Sequence, residues 1–204
     1  MENLLIYSLI DRDILGTDKK VISIALQLSR CGVDIIQLRV KSKKAANFLE
    51  LAFKLKEVIS GTNVKFIIND RVDIAKIVDA DGVHLGQDDI PVCFAREMLG
   101  DKIIGKSCHC LEQAIAAQKD GVDYISIGPI FQTPLKPDTN VLGEKIIFLI
   151  KEKISKPFFV IGGINLLNIS VLKMAGAQRF AFCRLLINSD APCKMVEKIK
   201  RIVK

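Results

Sequence analysis

The sequence contains no tryptophan, and aromatic residues make up only 6% of its 204 positions. Proteins that stack on nucleic-acid bases need aromatic side chains interleaved with basic ones, and no segment of this chain has that composition. We therefore expect no nucleic-acid partner, although 30 Lys and Arg residues outnumber 23 Asp and Glu residues for a net charge of +7. That excess suits an anionic small molecule, or simply a lysine-rich solvated exterior.

Long apolar runs are also missing. The longest, such as residues 4–10, have the length of a strand and are interrupted by polar residues, whereas a membrane helix needs about 20 apolar residues. The first residues show neither the basic region nor the small-residue cleavage site of a secretion signal. The six cysteines include no Cys-x-x-Cys pair and no spacing typical of a disulfide framework. These absences predict a soluble cytoplasmic protein that does not contact a membrane.

What the sequence does contain is an internal repeat. Four segments, at residues 29–39, 78–87, 118–129 and 173–184, each place a glycine after a helix-like stretch and follow it with a short apolar run. The glycines are Gly32, Gly82, Gly121 and Gly176. Each suits the left-handed residue that often ends a helix. A unit that recurs in this way predicts consecutive βα repeats.

The rest of the chain completes eight such units. Strand-like runs are residues 4–10, 35–38, 64–69, the run after Gly82, 102–107, 124–127, 157–163 and 180–182. Helix-like segments are 18–30, 42–59, 72–79, 90–99, 110–119, 141–154, 166–175 and 190–203. This alternation predicts an α/β fold with a parallel sheet, either closed as a (β/α)8 TIM barrel or open and doubly wound. No G-x-G-x-x-G motif opens the first βα turn, which favours the barrel, and we expect a single domain over residues 1–204.

Polar residues follow nearly every predicted strand, at the carboxyl ends where the active site of such a barrel lies. After the second strand, Gln37, Arg39 and Lys41 alternate with apolar residues, so one face of the segment carries all three. The other polar residues at these ends are Asn69, Asp70, Gln87, Asp88, Asp89, Ser107, His109, Thr133, Lys136 and Arg184. We expect these side chains to meet at one rim.

Carboxylates and cations at one rim indicate a magnesium-bound polyphosphate. Mg²⁺ uses one or two carboxylates together with phosphate oxygens and water, and Lys and Arg neutralise the remaining phosphate charge. Asp70 and Asp89 follow adjacent strands and are the predicted metal ligands, whereas Asp88 points elsewhere in an extended segment. A second anion site is predicted at Gly162 and Gly163, where backbone amides and a following helix N-terminus can hold a phosphate.

The motifs occur in the order seen in thiamine phosphate synthases, which the chain resembles over nearly its whole length. They are QLRVK (37–41), IINDRVDIA (67–75), ADGVHLGQDD (80–89), GKSCH (105–109), DYISIGPIFQTPLK (123–136) and IGGI (161–164). The resemblance implies a (β/α)8 barrel that joins hydroxymethylpyrimidine diphosphate to a thiazole phosphate, carboxylated in many bacteria. The products are thiamine phosphate and pyrophosphate, and Mg²⁺ is the implied cofactor.

Roles carry over to this sequence by motif. The resemblance implies that the pyrimidine diphosphate is held by Gln37, Arg39, Lys41, Asn69, Ser107 and Lys136, with Arg39, Ser107 and Lys136 as the catalytic residues. It implies that Asp70 and Asp89 bind Mg²⁺. It also implies that the thiazole phosphate pocket is lined by Thr133, Leu135, Gly163, Cys183 and Arg184. The implied chemistry is dissociative: pyrophosphate leaves first, and the thiazole nitrogen captures the resulting pyrimidine-methyl cation without a general base.

Two departures from the family pattern fall on the thiazole side. Leu135 stands where the family usually has a hydroxyl residue, and Cys183-Arg184 stands where it usually has Ile-Ser. They leave two alternatives open: a thiazole tautomerase using His109 as acid and base, and a non-catalytic protein that binds thiamine precursors. The oligomeric state also stays open, with a homo-oligomer among the options.

Overall fold

Eight parallel strands pair in the order of the sequence, and the last pairs with the first to close a barrel. The computed structural model describes residues 5–134 and 140–203. The strands are β1 (Ile6–Asp11), β2 (Ile35–Arg39), β3 (Lys65–Asn69), β4 (Gly82–Leu85), β5 (Ile103–Cys108), β6 (Tyr124–Ile127), β7 (Phe158–Val160) and β8 (Phe180–Phe182). The predicted (β/α)8 TIM barrel is confirmed, with each strand inside or within a residue or two of its predicted run.

Helices cover the outside of the barrel between successive strands. Within the described residues they are α1 (Arg12–Leu15), α2 (Asp18–Arg30), α3 (Ala45–Ile59), α4 (Val72–Ile77), α5 (Val92–Leu99), α6 (Leu111–Lys119), α7 (Ile146–Lys153), α8 (Ile169–Met174), α9 (Arg184–Ile187) and α10 (Pro192–Val203). The sequence did not predict α1 and α9, because four residues are too few to show a helical period. Both lie at the rim, so each affects the site.

One of the four glycines predicted to end a helix does not do so. Gly82 does not end a helix but lies in β4, where an added Cβ would stand 2.0 Å from the carbonyl oxygen of Ile103. The left-handed residue after α4 is instead Asp79, with a φ of 52°. Gly82 is therefore small because the neighbouring strand approaches it closely.

The core has two layers because strand side chains alternate between the two faces of the sheet. The outward faces pack under the helices in the larger apolar cluster. The inward faces form a plug at the amino-terminal end of the barrel, made of Tyr7, Ile35, Ile67, Tyr124, Phe159 and Ala181. This plug fills the amino-terminal part of the barrel, and the barrel opens towards the carboxyl ends of the strands.

The spacing of the cysteines did not reveal one disulfide bond. A disulfide joins Cys31, just after α2, to Cys193 in the first turn of α10, with their Cα atoms 5.0 Å apart. The two residues are 162 positions apart in sequence, and α2 and α10 become neighbours only when the barrel closes. Spacing along the chain therefore could not reveal it. No helix in the part of the chain that the structure describes is long and apolar enough to cross a membrane.

Candidate active site

A cavity of about 700 Å³ opens at the carboxyl ends of the strands and collects the predicted site residues. Its lining includes Gln37, Arg39, Lys41, Asn69, Asp70, Gln87, Asp88, Asp89, Ser107, His109, Thr133, Gly163, Cys183 and Arg184. Two further predicted residues, Leu135 and Lys136, lie outside the described residues. The expectation that polar residues after successive strands meet at one rim is thus met wherever the structure describes them.

Arg39 is held in place by a buried carboxylate that the sequence analysis missed. Arg39 Nη1 lies 2.5 Å from Asp11 Oδ2, and the Asp11 side chain is only 1% exposed. The same carboxylate ends β1 and caps α1, accepting hydrogen bonds from the backbone amides of Asp13 at 2.9 Å and Ile14 at 3.3 Å. The available signal was period-2 alternation, which places Tyr7, Leu9 and Asp11 on one face of β1.

The two predicted metal ligands meet beside a lysine. Asp70 and Asp89 are in side-chain contact, and Lys41 Nζ lies 2.5 Å from Asp70 Oδ2. Burial and the facing Asp89 carboxyl raise the pKa of Asp70, while Lys41 acts in the opposite direction. Asp89 Oδ2 also accepts the backbone amide of Gly86 at 2.6 Å. Two carboxylates pressed together in this way favour a shared cation.

The Asp70 backbone is unusual as well. Its φ is 62°, in the left-handed region, and its amide donates to the carbonyl of His84 in the adjacent strand at 2.8 Å. Asp and Asn tolerate this conformation better than other residues with a side chain. The turn after β3 therefore aims the carboxylate at Asp89 at some conformational cost.

The carboxylate pair fits a magnesium ion that takes its other ligands from elsewhere. Within residues 5–134 and 140–203, no group of three or more His, Cys, Asp or Glu side chains could hold a metal. Mg²⁺ commonly binds through one or two carboxylates and completes its shell with phosphate oxygens and water. The two carboxylates match this coordination of Mg²⁺ and do not match a closed site in which the protein supplies every ligand.

A chain of hydrogen bonds crosses the floor of the cavity. Gln37 Nε2 donates to the hydroxyl of Tyr7 at 2.5 Å, and the hydroxyls of Tyr7 and Tyr124 are 2.9 Å apart. His84 Nδ1 lies 2.9 Å from the Tyr124 hydroxyl, and its Nε2 lies 2.8 Å from Ser107 Oγ. Gln37 and Ser107, at the two ends of this chain, were predicted from the sequence. The tyrosines and His84 between them were not, because these contacts join residues up to 117 positions apart.

The order of protons along this chain follows from its first donor. The Gln37 amide nitrogen can only donate, so the Tyr7 hydroxyl accepts and passes its own proton to Tyr124. Tyr124 then donates to His84 Nδ1, which leaves the proton of a neutral imidazole on Nε2, facing Ser107. Ser107 Oγ accepts that bond, so its own hydrogen is not used by His84. The hydrogen-bond chain thus ends at a hydroxyl that lines the cavity.

Burial also changes the pKa values of the two tyrosines on the cavity floor. Loss of solvent raises the pKa of Tyr7 well above its ordinary value, although its hydrogen bonding with Tyr124 and Gln37 lowers it in part. The pKa of Tyr124 is raised by burial and by the nearby Tyr7. Both phenols therefore stay protonated at physiological pH.

His109 lines the cavity just after β5. Its Nδ1 lies 2.5 Å from the carbonyl oxygen of Gly128, and its backbone amide donates to Gln113 Oε1 at 2.6 Å. A carbonyl oxygen can only accept, so Nδ1 carries the proton. These contacts hold the ring against the β5–β6 side of the cavity.

The β7–α8 loop approaches its neighbours closely at the predicted phosphate site. Gly162 and Gly163 have φ values of 99° and 64°. An added Cβ on Gly163 would stand 2.6 Å from the Gln132 carbonyl oxygen and 2.7 Å from Phe131 Cβ. The helix expected directly after the glycines begins only at Ile169, because a turn built on Asn165 intervenes. The predicted helix N-terminus is therefore not adjacent to the glycines, and their own amides remain as the anion donors.

Replacing Gly163 with alanine is expected to destabilise the protein by about 2–3 kcal/mol. A left-handed φ costs a residue with a Cβ about 1 kcal/mol or more, and the clash with Gln132 and Phe131 adds to it. Gly121→Ala is a matched control, because Gly121 has a φ of 82° and nothing within 4 Å of an added Cβ. Urea unfolding of both variants measures the difference, and equal losses would show that the loop is not closely packed.

Of the two departures from the family pattern, Leu135 lies outside the described residues, and the two residues of the Cys183-Arg184 pair differ in placement. Cys183 is nearly buried after β8, and burial, followed by the nearby Asp11 carboxylate, raises the pKa of its thiol to about 12. Arg184 opens α9 at the cavity edge, where it is exposed and makes no ion pair with any described residue. The thiol is thus inert, whereas the guanidinium is available to an anionic ligand.

Known proteins resemble this chain in sequence and in structure. It matches the family model described as thiamine monophosphate synthase over residues 6–186. It is 46% identical over 168 residues to a thiamine-phosphate synthase of Clostridioides difficile, covering 82% of this chain and 80% of the relative. A thiamine-phosphate synthase of Pelotomaculum thermopropionicum is 41% identical over 184 residues, which span 89% of this chain and 84% of the relative. The solved thiamine phosphate pyrophosphorylase from Pyrococcus furiosus superposes with a TM-score of 0.89 at 32% identity, covering 98% of this chain and 95% of that one.

Proposed function

The chain belongs to the thiamine monophosphate synthase family and is a transferase of thiamine biosynthesis, and from this premise we propose its substrates, its cofactor and the residues that act on them. The proposed reaction moves the hydroxymethylpyrimidine group from its diphosphate to a thiazole phosphate, plain or carboxylated. It yields thiamine phosphate and pyrophosphate with Mg²⁺ as cofactor, and we propose that it takes place in the cytoplasm.

One observation carries the proposal: a pair of touching carboxylates lies beside cations at the rim of a single cavity. Asp70 and Asp89 are in contact, Lys41 reaches Asp70 from the end of the neighbouring strand, and Arg39 lines the same cavity. A binding site for a neutral ligand has no need of such a pair, because each carboxylate raises the cost of keeping the other ionised. A diphosphate carried by a divalent cation needs both the carboxylates and the cations.

The pyrimidine diphosphate is assigned to the half of the cavity formed by β2 to β5. Its proposed ligands are Gln37, Arg39, Lys41, Asn69, Ser107 and, outside the described residues, Lys136. Ser107 lines the cavity, and its hydroxyl oxygen lies 2.8 Å from His84 Nε2. If it accepts from that ring, its own hydrogen can be donated to an anionic oxygen or a ring nitrogen of the ligand. Mg²⁺ held by Asp70 and Asp89 would supply Lewis-acid stabilisation of the departing pyrophosphate.

The thiazole phosphate is assigned to the other half. The proposed lining is Thr133, Gly163, Cys183, Arg184 and, outside the described residues, Leu135. Backbone amides at the Gly162–Gly163 loop and the Arg184 guanidinium offer donors for its phosphate. Arg184 then supplies by charge what the family's serine would supply by a hydroxyl.

The residues contribute mainly charge neutralisation and positioning. Arg39, Lys41 and Lys136 stabilise the negative charge that develops as pyrophosphate departs, so the bond to the pyrimidine methylene can break before the new one forms. The floor holds the pyrimidine facing the thiazole nitrogen, which already carries a lone pair. No general base is needed for that attack, and neither phenol on the floor is available as one, because their raised pKa values keep both protonated.

The two other functions considered gain no support. The relatives compared are synthases, and neither a tautomerase nor a passive binder explains the paired carboxylates at the cavity rim. A tautomerase would move a proton through His109 and would not require a divalent cation. A binder would retain the diphosphate without breaking it.

Incubating the protein with the pyrimidine diphosphate, a thiazole phosphate and Mg²⁺ tests the proposal. We expect equal amounts of thiamine phosphate and pyrophosphate, and loss of both products when EDTA removes the metal. Plain and carboxylated thiazole phosphates should be tried separately. If neither gives product while calorimetry shows the diphosphate bound, the protein is a binder; conversion between thiazole isomers without metal would identify a tautomerase.

A further inference from the structure

Lys41 occupies the position of a cation at the carboxylate pair. Its ammonium lies 2.5 Å from Asp70 Oδ2, and Asp70 in turn contacts Asp89. The Asp70 side chain is only 17% exposed, whereas that of Lys41 is 53% exposed. The ammonium thus reaches in from solvent and supplies the positive charge that two crowded carboxylates require.

The backbone that carries Lys41 is pinned from another part of the rim. Its amide donates to Asp13 Oδ2 at 3.0 Å, and the Ser42 hydroxyl donates to the other oxygen of the same carboxylate. Lys43 Nζ lies 2.5 Å from Asp18 Oδ2. The β2–α3 loop is therefore anchored on α1 and α2, while the exposed Lys41 side chain can move without moving the loop.

We propose that Lys41 is a placeholder for the metal: its ammonium neutralises Asp70 in the empty site, leaves when a divalent cation binds, and then contacts the incoming diphosphate. The inference rests on the proposed function, in which Asp70 and Asp89 hold the cation. Lys41 would then have two anionic partners at different stages, a carboxylate first and a phosphate afterwards.

Lys41 and the metal compete for Asp70, and this competition makes binding of the metal and binding of the diphosphate cooperative. A divalent cation must break the Lys41–Asp70 pair and also meets repulsion from the nearby ammonium. A diphosphate draws the ammonium away and removes both penalties. By linkage, the metal then improves diphosphate binding by the same factor. Free protein should bind the metal weakly, and removing Lys41 should strengthen that binding.

Calorimetric titration with Mn²⁺ alone, without substrate, tests this directly. We expect Lys41→Met and Lys41→Gln to bind Mn²⁺ about three- to tenfold more tightly than the unaltered protein, the range that a partly exposed ion pair and one nearby charge can account for. Thermal melting checks that each variant is folded, and the two different side chains guard against a local packing effect.

Lys44→Met is the matched control. Lys44 lies on the same loop, is exposed, and makes no ion pair within the described residues. Its replacement lowers the net charge by the same amount as the Lys41 variants do, but it does not free Asp70. Its Mn²⁺ affinity should stay within about twofold of the unaltered protein. Unchanged affinity in both Lys41 variants, or an equal gain in Lys44→Met, would overturn the placeholder.

Asp70→Asn separates this inference from the function on which it rests. We expect that variant to lose Mn²⁺ binding. If it binds Mn²⁺ as the unaltered protein does, or if no variant binds the ion, the proposed metal site is wrong and the placeholder falls with it. If Asp70→Asn loses binding but the Lys41 variants gain nothing, the metal site stands and only the placeholder is overturned.

Discussion

Replacing Asp70 or Asp89 with asparagine is expected to lower Mg²⁺-dependent synthesis of thiamine phosphate by about 1,000-fold or more. Each carboxylate is half of the proposed two-residue metal site, and within the described residues that pair belongs to no larger group of His, Cys, Asp or Glu that could hold a metal. An amide cannot neutralise the cation, so the variant would bind the metal–diphosphate complex weakly and would not hold its metal in place. Turnover measured over a range of Mg²⁺ concentrations checks the prediction.

Asparagine is a better replacement than alanine at these positions. Asp70 has a φ of 62°, which asparagine tolerates and alanine does not. At position 89 an asparagine oxygen can still accept the backbone amide of Gly86. The variants thus remove charge while keeping the local backbone.

Asp120→Asn serves as the control for exchanging a carboxylate for an amide. Asp120 is exposed after α6, away from the cavity, and its variant should keep full activity. Full activity in either Asp70→Asn or Asp89→Asn would show that the metal assignment is wrong.

Replacing Asp11 with alanine is expected to reduce the free energy of unfolding by about 2–4 kcal/mol. Loss of the α1 cap accounts for about 0.5–2 kcal/mol. The rest comes from Arg39, which would lose its partner; the guanidinium is 29% exposed, so the cost lies below the 3–5 kcal/mol typical of a fully buried pair. Urea unfolding at neutral pH measures the loss, and a change below about 0.5 kcal/mol would contradict it.

Asp11→Asn separates the two contributions. An amide oxygen can still cap α1, but it carries no charge for Arg39, so this variant should lose about half as much stability as Asp11→Ala. Combining Asp11→Ala with Arg39→Ala should cost less than the sum of the single losses, because the residues act as a pair. Strict additivity would show that the contact contributes nothing of its own.

The barrel and much of its rim could be predicted because they depend on local pattern. Period-2 alternation placed Gln37, Arg39 and Lys41 on one face, and strand ends adjacent in order brought Asp70 to Asp89. What escaped prediction depends on distant partners. Asp11 was not recognised until Arg39 was placed beside it, and His84 lay inside an apolar run that looked purely structural.

The cysteine pair and the two short helices escaped for related reasons. The bond between Cys31 and Cys193 joins helices that meet only when the barrel closes. The turn α9 consists of four residues with no periodic signal, yet it places Arg184 at the cavity edge. The polar side chains at the strand ends could be predicted from the sequence, whereas contacts between residues far apart in the sequence could not.

The raised pKa values around the cavity have a consequence for the protein's own survival. In the proposed reaction an electrophilic carbon forms inside the cavity, and a phenolate or thiolate in the wall would be open to alkylation. Burial keeps Tyr7 protonated and raises the pKa of the Cys183 thiol to about 12. Both groups would therefore stay in their less nucleophilic protonated forms through each catalytic cycle, which would protect them from alkylation while the thiazole nitrogen captures the carbon.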